Sequence, residues 1–112
     1  MPEITDDFMR EMLGRTAAFT VVLLKDGPNA DAENRAELQW EHGRRNFKLR
    51  EQGSLAIVCP VMDDSELAGV GVFTTSPDET ARIMDADPGV QAGVFVYEVH
   101  PVRSFPGDAL PS

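Results

Sequence analysis

The order of its apolar segments limits the folds open to this chain more than any other feature. Four stretches rich in β-branched and apolar residues predict strands, and two charged stretches between them predict helices. The predicted strands are 16–25, 54–62, 67–75 and 93–100, and the predicted helices are 30–52 and 76–86. This β-α-β-β-α-β order is typical of the ferredoxin-like split βαβ fold, with two helices on one face of a four-stranded antiparallel sheet. We therefore expect a ferredoxin-like α+β fold.

Residues at the segment ends support these boundaries. Asp26–Asn29 is a strong breaker after the first strand, which we expect to be central because its apolar run is nearly continuous. Pro60 has no N–H to donate, so we expect either that the second strand is an edge strand or that Pro60 lies near its end. Ser76–Glu79 combines a serine cap, a proline and a glutamate typical of a helix start. Pro101 is predicted to end the fourth strand.

A short amphipathic helix is predicted before the first strand. Thr5 is a suitable N-cap, and Gly14 is a suitable end. The apolar residues that share one face of this helix are Phe8, Met9, Met12 and Leu13. We therefore expect a helical extension at 1–15, an α+β domain at 16–102 and an extended tail at 103–112.

Composition excludes several classes of function. The 112 residues suit one domain, and 10 basic against 19 acidic side chains give a net charge of -9. A surface this acidic repels phosphate, so we expect no nucleic-acid partner and no binding to anionic membranes. No apolar run approaches the ~18 residues of a membrane helix, and the acidic N-terminus does not resemble a signal peptide. The chain is therefore expected to be cytoplasmic.

The predicted fold leaves one face of its sheet without helices to cover it. The apolar residues on that face need a partner, and a chain this short has little left to supply one. The long helix has two apolar edges, one with Trp40 and Phe47 and one with Leu38 and His42, so it could touch both its own sheet and a partner. We therefore expect a homodimer whose sheets face each other, with a pocket for a small-molecule ligand inside each half.

Several short segments resemble, in order, motifs of the YciI-like (YCII-related) family. They are 24–29 (LKDGPN, family LLKxGPN), 37–42 (ELQWEH, family EIQxxH), 53–64 (GSLAIVCPVMDD, family GKLxxxGPxxDD), 87–93 (DPGVQAG, family DPxVxAG) and 98–101 (EVHP, family xELHPW). The resemblance covers about residues 17–102, and the order and spacing of the motifs make it specific. Two positions depart from the family, because Cys59 replaces a glycine and Val102 replaces an aromatic residue.

The resemblance implies a dimeric α+β barrel and a site centred on a histidine and an aspartate, which by motif are His42 and Asp87. The family resembles muconolactone isomerases and includes a dehalogenase-type enzyme that acts on a chlorinated hydroxyquinone. Imidazole exchanges protons near neutral pH, and a carboxylate on one ring nitrogen would fix its tautomer. We also consider Arg45 and Cys59 as substrate-binding residues, since Arg45 could hold a carboxylate and Cys59 could shape the pocket.

Each candidate also has an ordinary structural explanation. His42 could be a packing residue on a long helix, and Asp87 could serve turn chemistry before Pro88. Arg45 could be solvated, and a lone cysteine such as Cys59 is most often a small buried hydrophobe. The scattered histidines and acids form no metal-ligand motif, and Gly69-Val70-Gly71 is not a nucleotide-binding loop.

Two functions follow from this reading. The first is a cofactor-free lyase, isomerase or dehalogenase in which His42 moves a proton on a small cyclic enolisable substrate and Asp87 orients it. The alternative is a binding or regulatory module that uses the same pocket without turnover, because the fold hosts both kinds of function.

Overall fold

The computed structural model describes residues 3–112 and has the expected α+β architecture. Its elements are α1 (Asp6–Leu13), β1 (Ala17–Asp26), α2 (Arg35–Glu51), β2 (Leu55–Pro60), β3 (Leu67–Phe73), α3 (Pro77–Asp85), α4 (Pro88–Gln91) and β4 (Phe95–Ser104). The strands form one sheet in the order β2-β3-β1-β4, and all three pairs are antiparallel. The ferredoxin-like arrangement is therefore confirmed, and β2 and β3 form an antiparallel hairpin within it.

β1 lies between β3 and β4, which confirms that it is central. Its side chains alternate, so that Thr20, Val22 and Leu24 are buried beneath the helices while the residues between them are only half-buried. The buried hydrophobic core lies between the helices and this face of the sheet. It consists of Val22, Leu24, Leu49, Leu55, Phe73, Met84, Val94 and Phe95. Within one chain the helices thus cover one face of the sheet and leave the other partly open.

The long helix α2 begins at Arg35 rather than at residue 30. Residues 27–35 form successive turns in which the Ala30, Ala32 and Arg35 N–H groups donate to carbonyls three residues earlier. Asn29 fastens this segment to the loop before β4, since its backbone N–H donates to the Gly93 carbonyl over 2.8 Å. These long-range bonds compete with helix formation, which is why a Pro-free charged stretch starts its helix late.

The predicted end of the fourth strand is also wrong, because β4 continues through Pro101 to Ser104 instead of ending at His100. All ten of its residues pair with β1, and Pro101 lies opposite Thr20. β4 is an edge strand, so only one of its sides must supply hydrogen bonds, and a residue without an N–H is tolerated there. Pro60 follows the same rule as the last residue of the other edge strand, as expected.

Helix caps explain the remaining elements. Thr5 and Ser76 accept hydrogen bonds from the Phe8 and Glu79 N–H groups, so both predicted caps are present. α3 ends at Asp85, just before the Asp87-Pro88-Gly89 sequence, and the same three residues begin the one-turn helix α4, with Asp87 as its N-cap. Within residues 3–112, every helix is too short or too polar to cross a membrane.

Candidate active site

A histidine–aspartate pair lies beneath α2, at the point where α3 gives way to α4. His42 projects from the middle of α2, and its Nδ1 is 2.8 Å from Oδ1 of Asp87. The two side chains are 12% and 1% exposed, so the contact is shielded from solvent. The fold thus brings together the two residues that the family resemblance selected, although the function of the pair is a separate question.

Asp87 is held in place by its role as a helix cap. Its Oδ2 accepts hydrogen bonds from the Gly89 and Val90 N–H groups, over 3.0 and 3.3 Å, and this leaves Oδ1 for His42. Phe95 packs against His42 with ring centroids 5.2 Å apart. The carboxylate and the imidazole therefore each have a fixed orientation before any ligand binds.

The balance of forces on Asp87 keeps its carboxyl ionised. Burial by itself would raise the pKa of Asp87, because it disfavours the charged form. The hydrogen bond and charge of His42, the Val90 N–H and the positive charge of Arg45 together outweigh burial, so the pKa of Asp87 lies below its ordinary value. An ionised carboxylate only accepts hydrogen bonds, so the proton of this contact belongs to Nδ1 of His42.

Asn46, one helical turn after His42, holds the other ring nitrogen. Its Nδ2 is 3.2 Å from Nε2 of His42. When the ring is neutral its proton lies on Nδ1, so Nε2 then carries a lone pair and accepts this bond from the Asn46 amide. The sequence analysis did not single out Asn46, although its i,i+4 spacing from His42 on a predicted helix is a signal that could have done so.

His42 and Asn46 border an open cavity between α2 and the β2–β3 hairpin. The cavity has a volume of about 430 Å³ and is lined by both apolar and polar groups. Among its lining residues are His42, Asn46, Gln39, Val58, Gly69 and the 63–65 loop. Gly69 and Gly71 are buried on the helix-facing side of β3, where the absence of side chains leaves room next to the ring. A molecule the size of one substituted ring could reach Nε2 here.

Arg45 and Cys59 do not lie together in this cavity. Arg45 approaches Asp87, with 3.7 Å between its NH1 and Oδ1 of Asp87, and it is not among the residues that line the cavity. Cys59 is exposed and lies opposite Val70 on the other face of the sheet, whereas its neighbour Val58 faces His42. Within one chain, Arg45 therefore acts on the carboxylate, and Cys59 is remote from the pair.

Metal ligands are a further question for such a site. Within residues 3–112, no three His, Cys, Asp or Glu side chains are grouped so that they could hold a metal ion. His100, the second histidine, lies on β4 beside Glu98, with 3.4 Å between its Nε2 and Oε1 of Glu98.

Comparison with known proteins agrees with this fold. The profile of the YCII-related domain matches residues 18–105. The chain belongs to the YCII-related family. No curated protein sequence matches this YCII-related chain, but a solved structure does. It is the 5-chloro-2-hydroxyhydroquinone dehydrochlorinase TftG from Burkholderia phenoliruptrix AC1100, in complex with 2,5-dihydroxybenzoquinone. The match has a TM-score of 0.56 and 20% identity, and it covers 75% of this chain and 91% of TftG.

Proposed function

We propose that this YCII-related protein is a small cofactor-free enzyme in which His42 transfers a proton on a cyclic, enolisable substrate. The observation that carries the proposal is the buried His42–Asp87 contact, with the same His42 side chain lining a cavity. A buried charge next to an ordered imidazole has a cost that a purely structural contact could avoid with apolar residues. Proton transfer next to a carbonyl or enol requires a placed base and a polarised oxygen, and both can be supplied without a cofactor.

In this mechanism each side chain has one task. Nε2 of His42 accepts the substrate proton, and the ring becomes an imidazolium. The negative charge of Asp87 stabilises that imidazolium through Nδ1 and keeps the ring oriented. Asn46 must then rotate its amide, because a protonated Nε2 donates and needs the amide oxygen rather than the amide nitrogen. The proton returns to the substrate or to solvent in the second half of the reaction.

The substrate class is suggested by the cavity and by the activity for which TftG is named. TftG is named for the loss of HCl from a chlorinated hydroxyhydroquinone and binds 2,5-dihydroxybenzoquinone. Loss of HCl takes one proton and one chloride from the substrate, so it requires a proton acceptor of the kind that His42 offers. A cavity of about 430 Å³ with mixed polar and apolar walls suits a ring of this size. We therefore favour small hydroxylated rings, halogenated or not.

We also propose that two copies associate through the open face of the sheet. That face presents a continuous apolar surface formed by Phe19, Val21, Leu23, Ile57, Val70 and Val72. A surface of this kind on a small domain favours association with a second copy. Sedimentation equilibrium at micromolar concentration should give an assembly with an even number of copies, and Leu23→Glu should lower its mass; a wild-type monomer would contradict this part of the proposal.

The activity test compares His42→Ala with wild type on a panel of chlorinated and unchlorinated hydroxyhydroquinones. Chloride release and exchange of ring protons for deuterium report turnover, and calorimetry reports affinity. We expect His42→Ala to lose turnover and to keep ligand affinity within about tenfold. Glu37→Ala, an exposed substitution on the same helix, is the matched control and should retain turnover.

Two outcomes would overturn the enzymatic proposal. Turnover by His42→Ala at the wild-type rate would remove His42 from the mechanism. Binding of the ring compounds by wild type with neither chloride release nor proton exchange would favour the alternative, a ligand-binding module that uses the same cavity.

A further inference from the structure

The N-terminal helix α1 has an apolar face that this chain leaves uncovered. None of the eight residues of α1 is buried, and Phe8, Met9 and Leu13 are 44%, 47% and 45% exposed. Among the described residues, α1 makes no more than slight contact with any other helix or strand. An isolated helix of this length is marginal in water, because few hydrogen bonds offset the cost of nucleation. An amphipathic helix with a capped N-terminus therefore indicates a docking partner.

A second uncovered apolar surface lies on the outer side of α2. Trp40 and Phe47 are 70% and 64% exposed, and they flank Gly43 and Ala36. A Cβ built on Gly43 would meet nothing within 4 Å, so the backbone is open to close approach at the centre of this surface. We call the surface formed by Ala36, Gln39, Trp40, Gly43, Arg44 and Phe47 the α2 groove. It has the small residue between two large ones that a docked helix requires.

The two surfaces are complementary in charge. In residues 3–13, which contain α1, four carboxylates accompany one arginine, in keeping with the acidic chain as a whole. In α2, five basic residues accompany three acidic ones, so this helix is basic within a protein of net charge -9. Arg44 lines the α2 groove and is paired there with Glu41, 3.1 Å away on the same exposed face, and the guanidinium of Arg50 lies over the Phe47 ring, 5.5 Å from its centroid. An acidic helix with an apolar face is therefore favoured there.

We propose that α1 of one copy docks in the α2 groove of a second copy. Only three residues, 14–16, separate α1 from the central strand, and α1 does not pack on the α2 of its own chain. Each copy carries one helix and one groove, so a twofold dimer satisfies both at once. Pairing of α1 with α1 is disfavoured, because it would bring eight carboxylates together against two arginines. The contact is thus an exchange of N-terminal helices between copies, outside the sheet faces.

Trp40 makes the proposal directly measurable, because it is the only tryptophan of the chain and lies in the α2 groove. Its fluorescence maximum and its quenching by acrylamide report whether the groove is covered. We expect the full-length wild-type protein to show a blue-shifted, protected Trp40. The double variant Phe8→Asp, Leu13→Asp should show a red-shifted, readily quenched Trp40, and its far-ultraviolet circular dichroism should lose no more than the helical signal of the eight residues of α1. Leu110→Asp, at another exposed leucine, is the control and should behave as wild type.

A mixing experiment identifies the occupant as a second copy. The double variant keeps Trp40 but lacks a functional α1, whereas Trp40→Ala keeps α1 and emits no tryptophan fluorescence. Mixing the two should shift Trp40 of the double variant to the blue and protect it, because the other copy supplies the helix. An equally protected Trp40 in wild type and double variant, an exposed Trp40 in wild type, or no change on mixing would each overturn the proposal. None of these measurements depends on catalytic activity.

Discussion

Gly89 lies so close to Phe95 that a Cβ on the glycine would be 2.6 Å from Cδ2 of the phenylalanine ring. The same Cβ would be 3.2 Å from Oδ2 of Asp87. Phe95 is 2% exposed and also packs against His42, so neither neighbour can move freely. The glycine is therefore part of what allows the carboxylate, the phenylalanine and the imidazole to occupy one small space.

Gly89→Ala should destabilise the protein by about 1–3 kcal/mol, because the added methyl group overpacks a buried site. Chemical denaturation monitored by circular dichroism measures the effect. Gly43→Ala is the matched control, since a Cβ there meets nothing and alanine favours the helix. It should leave stability unchanged or raise it by up to about 1 kcal/mol. Equal effects of the two substitutions would show that the close packing around Gly89 does not matter.

The ionised Asp87 should make the protein sensitive to acid. Its pKa in the folded state is below the ordinary value of 3.8, so its contribution to stability is complete above that pH. The contribution disappears as the pH falls through the lower, folded-state pKa. Asp87→Asn should cost about 1–3 kcal/mol at neutral pH and show a weaker loss of stability on acidification. Urea unfolding at a series of pH values measures both effects.

Asp63→Asn provides the comparison for Asp87. The pKa of Asp63 is also lowered, by hydrogen bonds from the Ser65 side chain and backbone, but Asp63 is fully exposed in the β2–β3 loop. Solvent screens such an exposed interaction, so its removal should change the acid sensitivity much less. An acid profile of Asp87→Asn that matches wild type would contradict the assignment of a buried, ionised carboxylate.

Tyr97 should titrate far above a free phenol. Burial and the hydrogen bond to Asp85 raise the pKa of Tyr97 to about 12, and its hydroxyl donates to Oδ1 of Asp85 over 2.6 Å. The folded state favours the neutral phenol. Tyr97 therefore contributes fully to the stability of the fold below pH 10, and this contribution is lost as the pH rises through the folded-state pKa. Because Tyr97 is the only tyrosine, near-ultraviolet absorbance follows it alone. Asp85→Asn should move the midpoint toward 10.0, and an unchanged midpoint would count against the bond.

The neutral His42 ring should carry its proton on Nδ1. Nitrogen-15 chemical shifts of the ring distinguish the two tautomers, with His100 as the internal comparison. Asn46→Leu removes the donor to Nε2 and should weaken the preference, while Asp87→Asn should disturb it more because it removes the charged acceptor on Nδ1. A neutral ring protonated on Nε2 in wild type would exclude the bonding scheme described for the site.

The sequence by itself determined the element types, their order and most of the local capping. Hydrophobic periodicity distinguishes strands from helices, and the Ser76 cap depends on neighbours along the chain, so both can be read locally. Motif order likewise identified His42 and Asp87, which are 45 positions apart. Predictions of element boundaries were wrong where distant contacts set the boundary. α2 starts later than predicted because Asn29 bonds to the Gly93 carbonyl, and β4 continues past Pro101 because an edge strand tolerates a proline.

Only the tertiary structure decided how the site is built. In the sequence, Asp87 is explained equally well as a turn residue before Pro88. It becomes a helix cap with Oδ1 left to contact His42 only when α4 forms beneath α2. The spacing of Asn46 places it on the same helix face as His42, but its bond to Nε2 forms only when the ring is oriented, and strand pairing alone places Cys59 on the far face of the sheet. Periodicity reports which face of an element is buried, whereas the atoms that meet across elements depend on register and packing, which no local pattern encodes.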